Sequence, residues 1–254
     1  MLEFSWMNLL LLLAGGFIGS FVDAAVGGGG LITVPAYMAT GLPIPFVLGS
    51  NKLASTIGAV ASFFTYSRSG HIDRKILKMM PLAALGSAAG ASVASYLPEQ
   101  LMRYIVVACL VLVSIYTFCK KKWDGVNVLD EMTRTMEIGI GFMAWCLGMY
   151  DGFFGPGTGT FLIFGFLYFG YNFITAAGNT KALNLASNIG GLIAFILLGK
   201  VYWAYALPMG IIEIFGARLG AKVAIKKGVT YIRRMYLIVT VLLIGKQVLS
   251  LFLK

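Results

Sequence analysis

Charge is what this sequence is short of. Only 12% of its 254 residues are Asp, Glu, Lys or Arg, about half of the ~25% usual in a soluble globular domain, while 59% are hydrophobic. A chain so composed has too few polar side chains to cover a water-facing surface. Histidine is scarcer still: the single His71 stands among Arg68, Asp73 and Arg74, where a solvated role is expected. With no nucleophile beside a base and no cluster of metal ligands, the pattern argues against a membrane-embedded enzyme, and no cofactor or metal is expected. Cys109, Cys119 and Cys146 are an odd number, lie in or beside apolar runs and lack CxxC or metal-ligand spacing, so they read as buried small hydrophobes. No glycine run ends in the Gly-Lys-Ser/Thr of a nucleotide P-loop. Despite a net charge of +10, no domain-length polar segment is present to bind nucleic acid.

What is there is one apolar run after another, interrupted by glycine, proline and short basic clusters. A spanning helix needs about 20 mostly apolar residues, and about ten segments qualify. The fold expected is therefore an all-α polytopic membrane protein, with the lipid bilayer as its first partner. The first run begins near Trp6 behind the acidic Glu3; it lacks the basic leader of a cleavable signal and reads as a retained span.

The chain also repeats itself. Sliding it by about 128 to 130 residues places Asp23 on Asp151, and Gly27 to Gly30 on Gly155, Pro156, Gly157 and Thr158. The same shift puts Gly49-Ser50-Asn51-Lys52 on Gly178-Asn179-Thr180-Lys181, and Gly86-x-x-x-Gly90-Ala91 on Gly216-x-x-x-Gly220-Ala221. Two units follow, residues 1–125 and 126–254. Twelve of the basic residues fall in three clusters: Arg68, Arg74, Lys75 and Lys78; Lys120, Lys121, Lys122 and Arg134; Lys226, Lys227, Arg233 and Arg234. By the positive-inside rule these loops are cytoplasmic. The charge-poor loop 97–103 aligns with the basic loop 226–233, so equivalent loops lie on opposite sides, as inverted repeats with an odd number of segments require. Five per repeat, ten in all, satisfy every cluster: 6–24, 31–48, 51–67, 78–96 and 101–119, then 136–154, 159–174, 179–198, 204–225 and 235–253. Both termini are then outside. If the segments beside the glycine runs are half-helices, the count is eight.

Apolar segments broken by glycines at matching places point to a transporter binding site. A helix N-terminus offers free N–H groups and partial positive charge, and glycine lets a ligand approach the backbone. Gly28, Gly29 and Gly30 in the first unit, with Gly157, Thr158 and Gly159 in the second, are candidates for an anion cradle; tight helix packing is the alternative. Lys52 and Lys181 are read near the start of the third segment of each unit, where they contact substrate or snorkel to the interface. Asn51 and Thr180 precede them, and Asn184 and Asn188 follow Lys181 on its helical face, as substrate contacts or as interhelical glue. Asp23 and Asp151, four residues before their glycine runs, either carry protons, cap a broken helix or pair with a lysine. Arg218 is a candidate anion contact. The Gly-x-x-x-Gly pairs are expected to pack helices.

The phrase Phe21-Val22-Asp23-Ala24-Ala25-Val26-Gly27-Gly28-Gly29-Gly30, the repeated Gly-Ser/Asn-x-Lys and the late Gly216-Ala217-Arg218-Leu219-Gly220-Ala221 together resemble the sulfite exporter TauE/SafE family of membrane permeases. The resemblance covers nearly the whole chain. It implies transport of a small, often sulfur-containing anionic substrate, such as sulfite, sulfoacetate or a related organosulfonate, in a bacterial inner (plasma) membrane. The inverted units lead to the expectation of a secondary carrier working by alternating access. Pro156, Thr158 and Thr160 replace Gly28, Gly30 and Ile32 in the second unit, so a shared site would be only approximately symmetric. An anion channel, or a membrane subunit without transport of its own, stays open as an alternative, as does assembly into a homo-oligomer.

Overall fold

Positive φ marks where the helices break. In a computed structural model of the chain, which describes residues 4–119 and 132–252, every residue with positive φ is a glycine. Gly27 and Gly28 (φ 75° and 87°) interrupt the first unit where Gly155 and Gly157 (φ 93° and 88°) interrupt the second. Only glycine enters this region without strain. Among the described residues the secondary structure is helical, without strands. The first unit forms α1 (Trp6–Val26), α2 (Gly30–Met38), α3 (Ile44–Arg68), a 3₁₀ turn leading into α4 (Met80–Tyr96), and α5 (Glu99–Cys119). The second forms α6 (Arg134–Phe153), α7 (Thr158–Tyr168), α8 (Phe173–Leu197) and α9 (Trp203–Phe252), the last broken at Gly228 (φ 69°). Lys120, Lys121 and Lys122, and the side chains of Arg233 and Arg234, lie outside what is described.

The ten expected segments exist, but two are too short to cross. α2 has 9 residues and α7 has 11, about 14 and 17 Å at 1.5 Å per residue, against a hydrocarbon core of about 30 Å. The expected segments 31–48 and 159–174 each ran through a chain break. After α2, the Pro43-Ile44-Pro45 step starts a new helix, since proline suits the first turn, where no N–H is needed. After α7, the Asn172 side chain caps α8 by accepting from Thr175 N–H at 2.9 Å. Consequently α3 and α8 start earlier than expected, and each is 25 residues long. Trp6–Val26, Ile76–Tyr96 and Phe173–Leu197 are long and apolar enough to span by composition alone. Large apolar side chains such as Trp6, Leu10, Phe64, Leu112, Phe142, Leu197 and Phe215 face outward. This is the surface of a protein that sits in a bilayer. Cys146 is exposed on that surface rather than buried as expected; a small thiol costs little where lipid replaces core.

Small residues let the helices touch along their backbones. A Cβ on Gly90 would come 2.0 Å from Met149 O, and one on Gly152 would come 1.8 Å from Ser87 O, so α4 and α6 pack in contact. α1 and α9 meet likewise: Cβ atoms on Gly216 and Gly220 would lie 2.3 Å from Phe17 O and 2.1 Å from Phe21 O. The Gly-x-x-x-Gly pairs pack helices, as read from the sequence.

α3 and α8 run antiparallel through the centre. The chain leaving α3 meets the start of α8, where Asp73 N–H donates to Asn179 Oδ1 at 2.8 Å. The chain leaving α8 meets the start of α3, where Tyr202 N–H donates to Ser50 Oγ at 2.8 Å. Gly178 and Gly49 admit the carbonyls of His71 and Lys200. His71, expected in solvent, is thus half-buried with its backbone against α8. Buried apolar side chains gather at the two ends, around Tyr66, Ile76, Phe166 and Phe173 at one and Ile44, Val47, Phe195 and Val201 at the other. Along α3 and α8 the polar stretch falls between them.

Candidate functional site

Lys52 is the ninth residue of α3 and Lys181 the ninth of α8. About 12 Å of helix therefore separates each lysine from the start of its helix, which corrects the expected position near the segment start. Both are buried, Lys52 4% and Lys181 0% exposed, so neither snorkels. A buried ammonium needs a counter-charge, and each lysine finds it in the other unit. Lys52 Nζ lies 2.5 Å from Asp151 Oδ2 on α6 and 3.1 Å from Asn188 Oδ1 on α8. Lys181 Nζ lies 2.7 Å from Asp23 Oδ2 on α1 and also donates to the Asp23 carbonyl.

Neighbouring hydrogen bonds extend both pairs. Asp23 Oδ1 accepts from Gly29 N–H at 3.2 Å, tying the Lys181 pair to the N-terminus of α2. Asp151 Oδ2 accepts from Ser187 Oγ at 2.6 Å, and Asn188 Nδ2 donates to Asn184 Oδ1 at 2.7 Å. The aliphatic stem of Lys52 runs past Gly191, where a Cβ would come 3.3 Å from Cε.

The two broken helices abut. A Cβ on Gly27 would sit 2.3 Å from the carbonyl carbon of Gly159, and one on Gly30 would sit 2.9 Å from Pro156 Cα. Contact this close between the two repeat-equivalent breaks leaves no room for a Cβ at Gly27 or Gly30. A Cβ on Gly155 would be 3.8 Å from Lys52 Nζ, and one on Gly159 would be 3.5 Å from Asp23 Oδ1. Each loop therefore lies against an ion pair. Between them is a cavity of about 40 Å³, space for about three waters.

Of the residues singled out from sequence, Asp23, Gly28, Gly29, Gly30, Asn51, Lys52, Asp151, Gly157, Gly159, Asn184 and Asn188 line this cavity. Lys181 stands behind Asp23. Thr158 turns its hydroxyl to Gly155 O at 2.8 Å, and Thr180 Oγ1 is buried without a hydrogen-bond partner among the described residues. Arg218 is not brought to the cavity; it is exposed and lines a separate groove with Arg68 and Lys222.

The sequence reading missed Glu213. It lies on α9, 2% exposed, on the cavity wall. A Cβ on Gly58 would come 2.8 Å from its Oε2, so α3 gives way to it there. Its Oε1 has no hydrogen-bond partner among the described residues. The signal was available: Glu213 is the only acidic residue in the apolar run 204–225, and an intramembrane carboxylate is a functional candidate by default.

The arrangement offers the Lys52 ammonium, that of Lys181 behind Asp23, two helix N-termini and hydrogen-bonding atoms without partners among the described residues, all around a small cavity. Comparison with known proteins agrees with this. The chain is 33% identical over 248 residues to the probable membrane transporter protein ORF9 of a Sinorhizobium species, covering 96% of this chain and 93% of that one. It is 33% identical over 232 residues to the probable membrane transporter protein YfcA of Escherichia coli K12, covering 90% and 85%. A probable membrane transporter protein of Haemophilus influenzae is 34% identical over 244 residues, covering 94% of each chain. No solved structure matches. These are names of membrane transporters rather than of enzymes. The model of the sulfite exporter TauE/SafE family matches residues 11–246, and the chain belongs to that family.

Proposed function

We propose that this protein is a secondary carrier of small anions of the sulfite and organosulfonate class, working by alternating access in the bacterial inner membrane. The observation that carries the reading is the pair of reciprocal ion pairs, Lys52 with Asp151 and Lys181 with Asp23, held against two abutting glycine breaks. The N-termini of α2 and α7 each contribute roughly +0.5 of an elementary charge. The lysines and their aspartates cancel, so the dipoles favour an anion whenever the Glu213 carboxyl on the same wall is neutral. An anion that competes with Asp151 or Asp23 for an ammonium loosens a contact between the two units, which is the coupling alternating access needs.

The two units are proposed as inverted repeats, with residues 1–125 and 126–254 as the moving halves. The antiparallel course of α3 and α8 and the mirrored bonds of Asp73 to Asn179 and of Tyr202 to Ser50 support this. α1 is long enough to span, but α2 returns from its glycine break to the end where α1 began, as α7 does after α6, so each such pair makes no net crossing. Three net crossings per unit remain, an odd number, and inversion survives the shortening of α2 and α7. The chain ends of α3 and the Gly228 break of α9 then share the basic, cytoplasmic side, with both termini outside.

A cavity of about 40 Å³ is small for a continuous pore, which favours a carrier over a channel. Moved without a counter-ion, an anion would leave down the membrane potential at about 2.3 kcal/mol per charge per 100 mV; a proton carried with it would remove that drive. The test is flux of sulfite, methanesulfonate and sulfoacetate into liposomes containing the purified protein. Saturable flux is expected; no flux of any anion would overturn the reading.

A further inference from the structure

Four charges of the cavity are accounted for by two ion pairs, and a fifth is not. Glu213 faces the same space from α9, and no described cation pairs with it. Among the charged and titratable groups on the elements around it, α3 carries Tyr66, whose hydroxyl donates to Ala24 O, and the exposed Arg68, and α9 carries the exposed Lys222; those nearer the cavity are the following. α1 brings Asp23, α2 brings Tyr37, whose hydroxyl donates to Ser50 O, and α3 brings Lys52, held by Asp151 of α6. α8 brings Lys181, held by Asp23. α5 carries Glu99 and Arg103, which face each other at its exposed start, and Arg218 on α9 itself is on the exposed face. The cavity thus gives Glu213 no positive charge of its own, and Asp23 is a like charge nearby.

We infer that Glu213 is the proton-binding site of the transport cycle, and that a proton on Glu213 and an anion in the glycine-lined cavity bind together. The inference rests on the anion-carrier reading and adds its coupling ion.

The chemistry is that of a buried acid. An ionised carboxylate without a partner is costly in a low-dielectric site, and taking up a proton removes the cost. The proton also changes what the cavity offers. With Glu213 ionised, its negative charge offsets the two helix dipoles, together roughly +1, and an incoming anion meets no net attraction. With Glu213 neutral, the positive excess returns. The protonated carboxyl is also a hydrogen-bond donor, whereas the carboxylate only accepts. It joins the Thr33 hydroxyl, likewise buried on the wall without a partner, as a donor to an anion. Asp23 and Asp151 are less suited, since protonating either strands a buried lysine. Linkage is reciprocal: if the proton strengthens anion binding, the anion strengthens proton binding by the same factor. One proton carried with one monovalent anion makes the step electroneutral, so the pH gradient rather than the membrane potential sets its direction.

The test uses full-length protein and the anion among sulfite, methanesulfonate and sulfoacetate that the wild type moves fastest. In liposomes with an entrapped pH dye, wild-type flux should rise at least about tenfold as pH falls from about 8 to about 6, with protons entering alongside the anion. In weakly buffered detergent solution, adding the anion should make the wild type take up protons. Glu213→Gln, which mimics the protonated form, should bind anion without proton uptake and lose the pH dependence. Should E213Q fail to fold, E213D keeps the titrating group and must keep the proton uptake. Anion flux without proton uptake in the wild type, or proton uptake intact in E213Q, overturns the inference and leaves the carrier standing. Absence of flux for every anion overturns both.

Discussion

Lys52 Nζ on α3 lies 2.5 Å from Asp151 Oδ2 on α6, and the repeat-equivalent residues reproduce the relation in reverse, Lys181 to Asp23. A lysine of each unit is thus neutralised by an aspartate of the other. Either pair can break only if the units separate locally or another anion takes the aspartate's place.

Removing one member should therefore be worse for stability than removing both. Lys52→Met leaves Asp151 buried without its cation and is expected to cost about 3–5 kcal/mol. The double variant K52M/D151N should recover most of the thermal stability. Transport should remain reduced about a hundredfold or more in both, because the ammonium is lost in each. Thermal unfolding with flux on the same preparations checks this; a double variant with normal transport would remove Lys52 from the site.

Two glycines share a positive φ but differ in surroundings, and Gly27, with ψ 170°, also lies in a region open essentially only to glycine. Gly27 and Gly70 have φ of 75° and 72°, yet a Cβ on Gly27 would meet Gly159 at 2.3 Å while one on Gly70 meets nothing within 4 Å. Gly70→Ala should cost about 1–2 kcal/mol, the penalty of a Cβ at positive φ with no clash added. Gly27→Ala should prevent the two breaks from meeting and abolish both folded yield and flux. Size-exclusion profiles of the two variants provide the comparison.

The loop joining α7 to α8 is held by Tyr171, whose hydroxyl donates to Asp73 Oδ2 at 2.9 Å. Burial and then the Asp73 carboxylate push the phenol well above its usual range. A raised value means stability that is complete below the unfolded-state value near 10 and lost as pH rises beyond it. Tyr171→Phe should flatten the alkaline limb of the stability profile, read by thermal melts between about pH 8 and about pH 11. An unchanged limb would show that Tyr171 is not the responsible group.

Much of the site was legible because it depends on residues that membranes tolerate poorly. Lysine, aspartate and clustered glycine in apolar segments each need a local reason, and repetition marked which ones belong together. Chain reversal after α2 and α7 was harder to see, because Leu42-Pro43 and Tyr171-Asn172 are short signals inside apolar sequence. The pairing of Lys52 with Asp151 spans 99 residues and that of Lys181 with Asp23 spans 158; no local pattern encodes such partners. Glu213 escaped because its repeat-equivalent is Ala83, so the search for matched residues passed over it.

The proposed inverted arrangement predicts which loops share a side. With Cys109, Cys119 and Cys146 replaced, single cysteines at Gln100 and Gly228 should react with an impermeant reagent from opposite sides of the membrane. Labelling of both from one side would contradict the inverted arrangement.

The most direct measurement is anion uptake against concentration in liposomes containing purified wild-type protein or the K52M/K181M double variant. The account expects flux that saturates in the wild type, with turnover far below diffusion, and flux near that of empty liposomes in the variant. Flux that rises linearly without saturation, or is equal in the two proteins, would contradict a carrier built on these lysines.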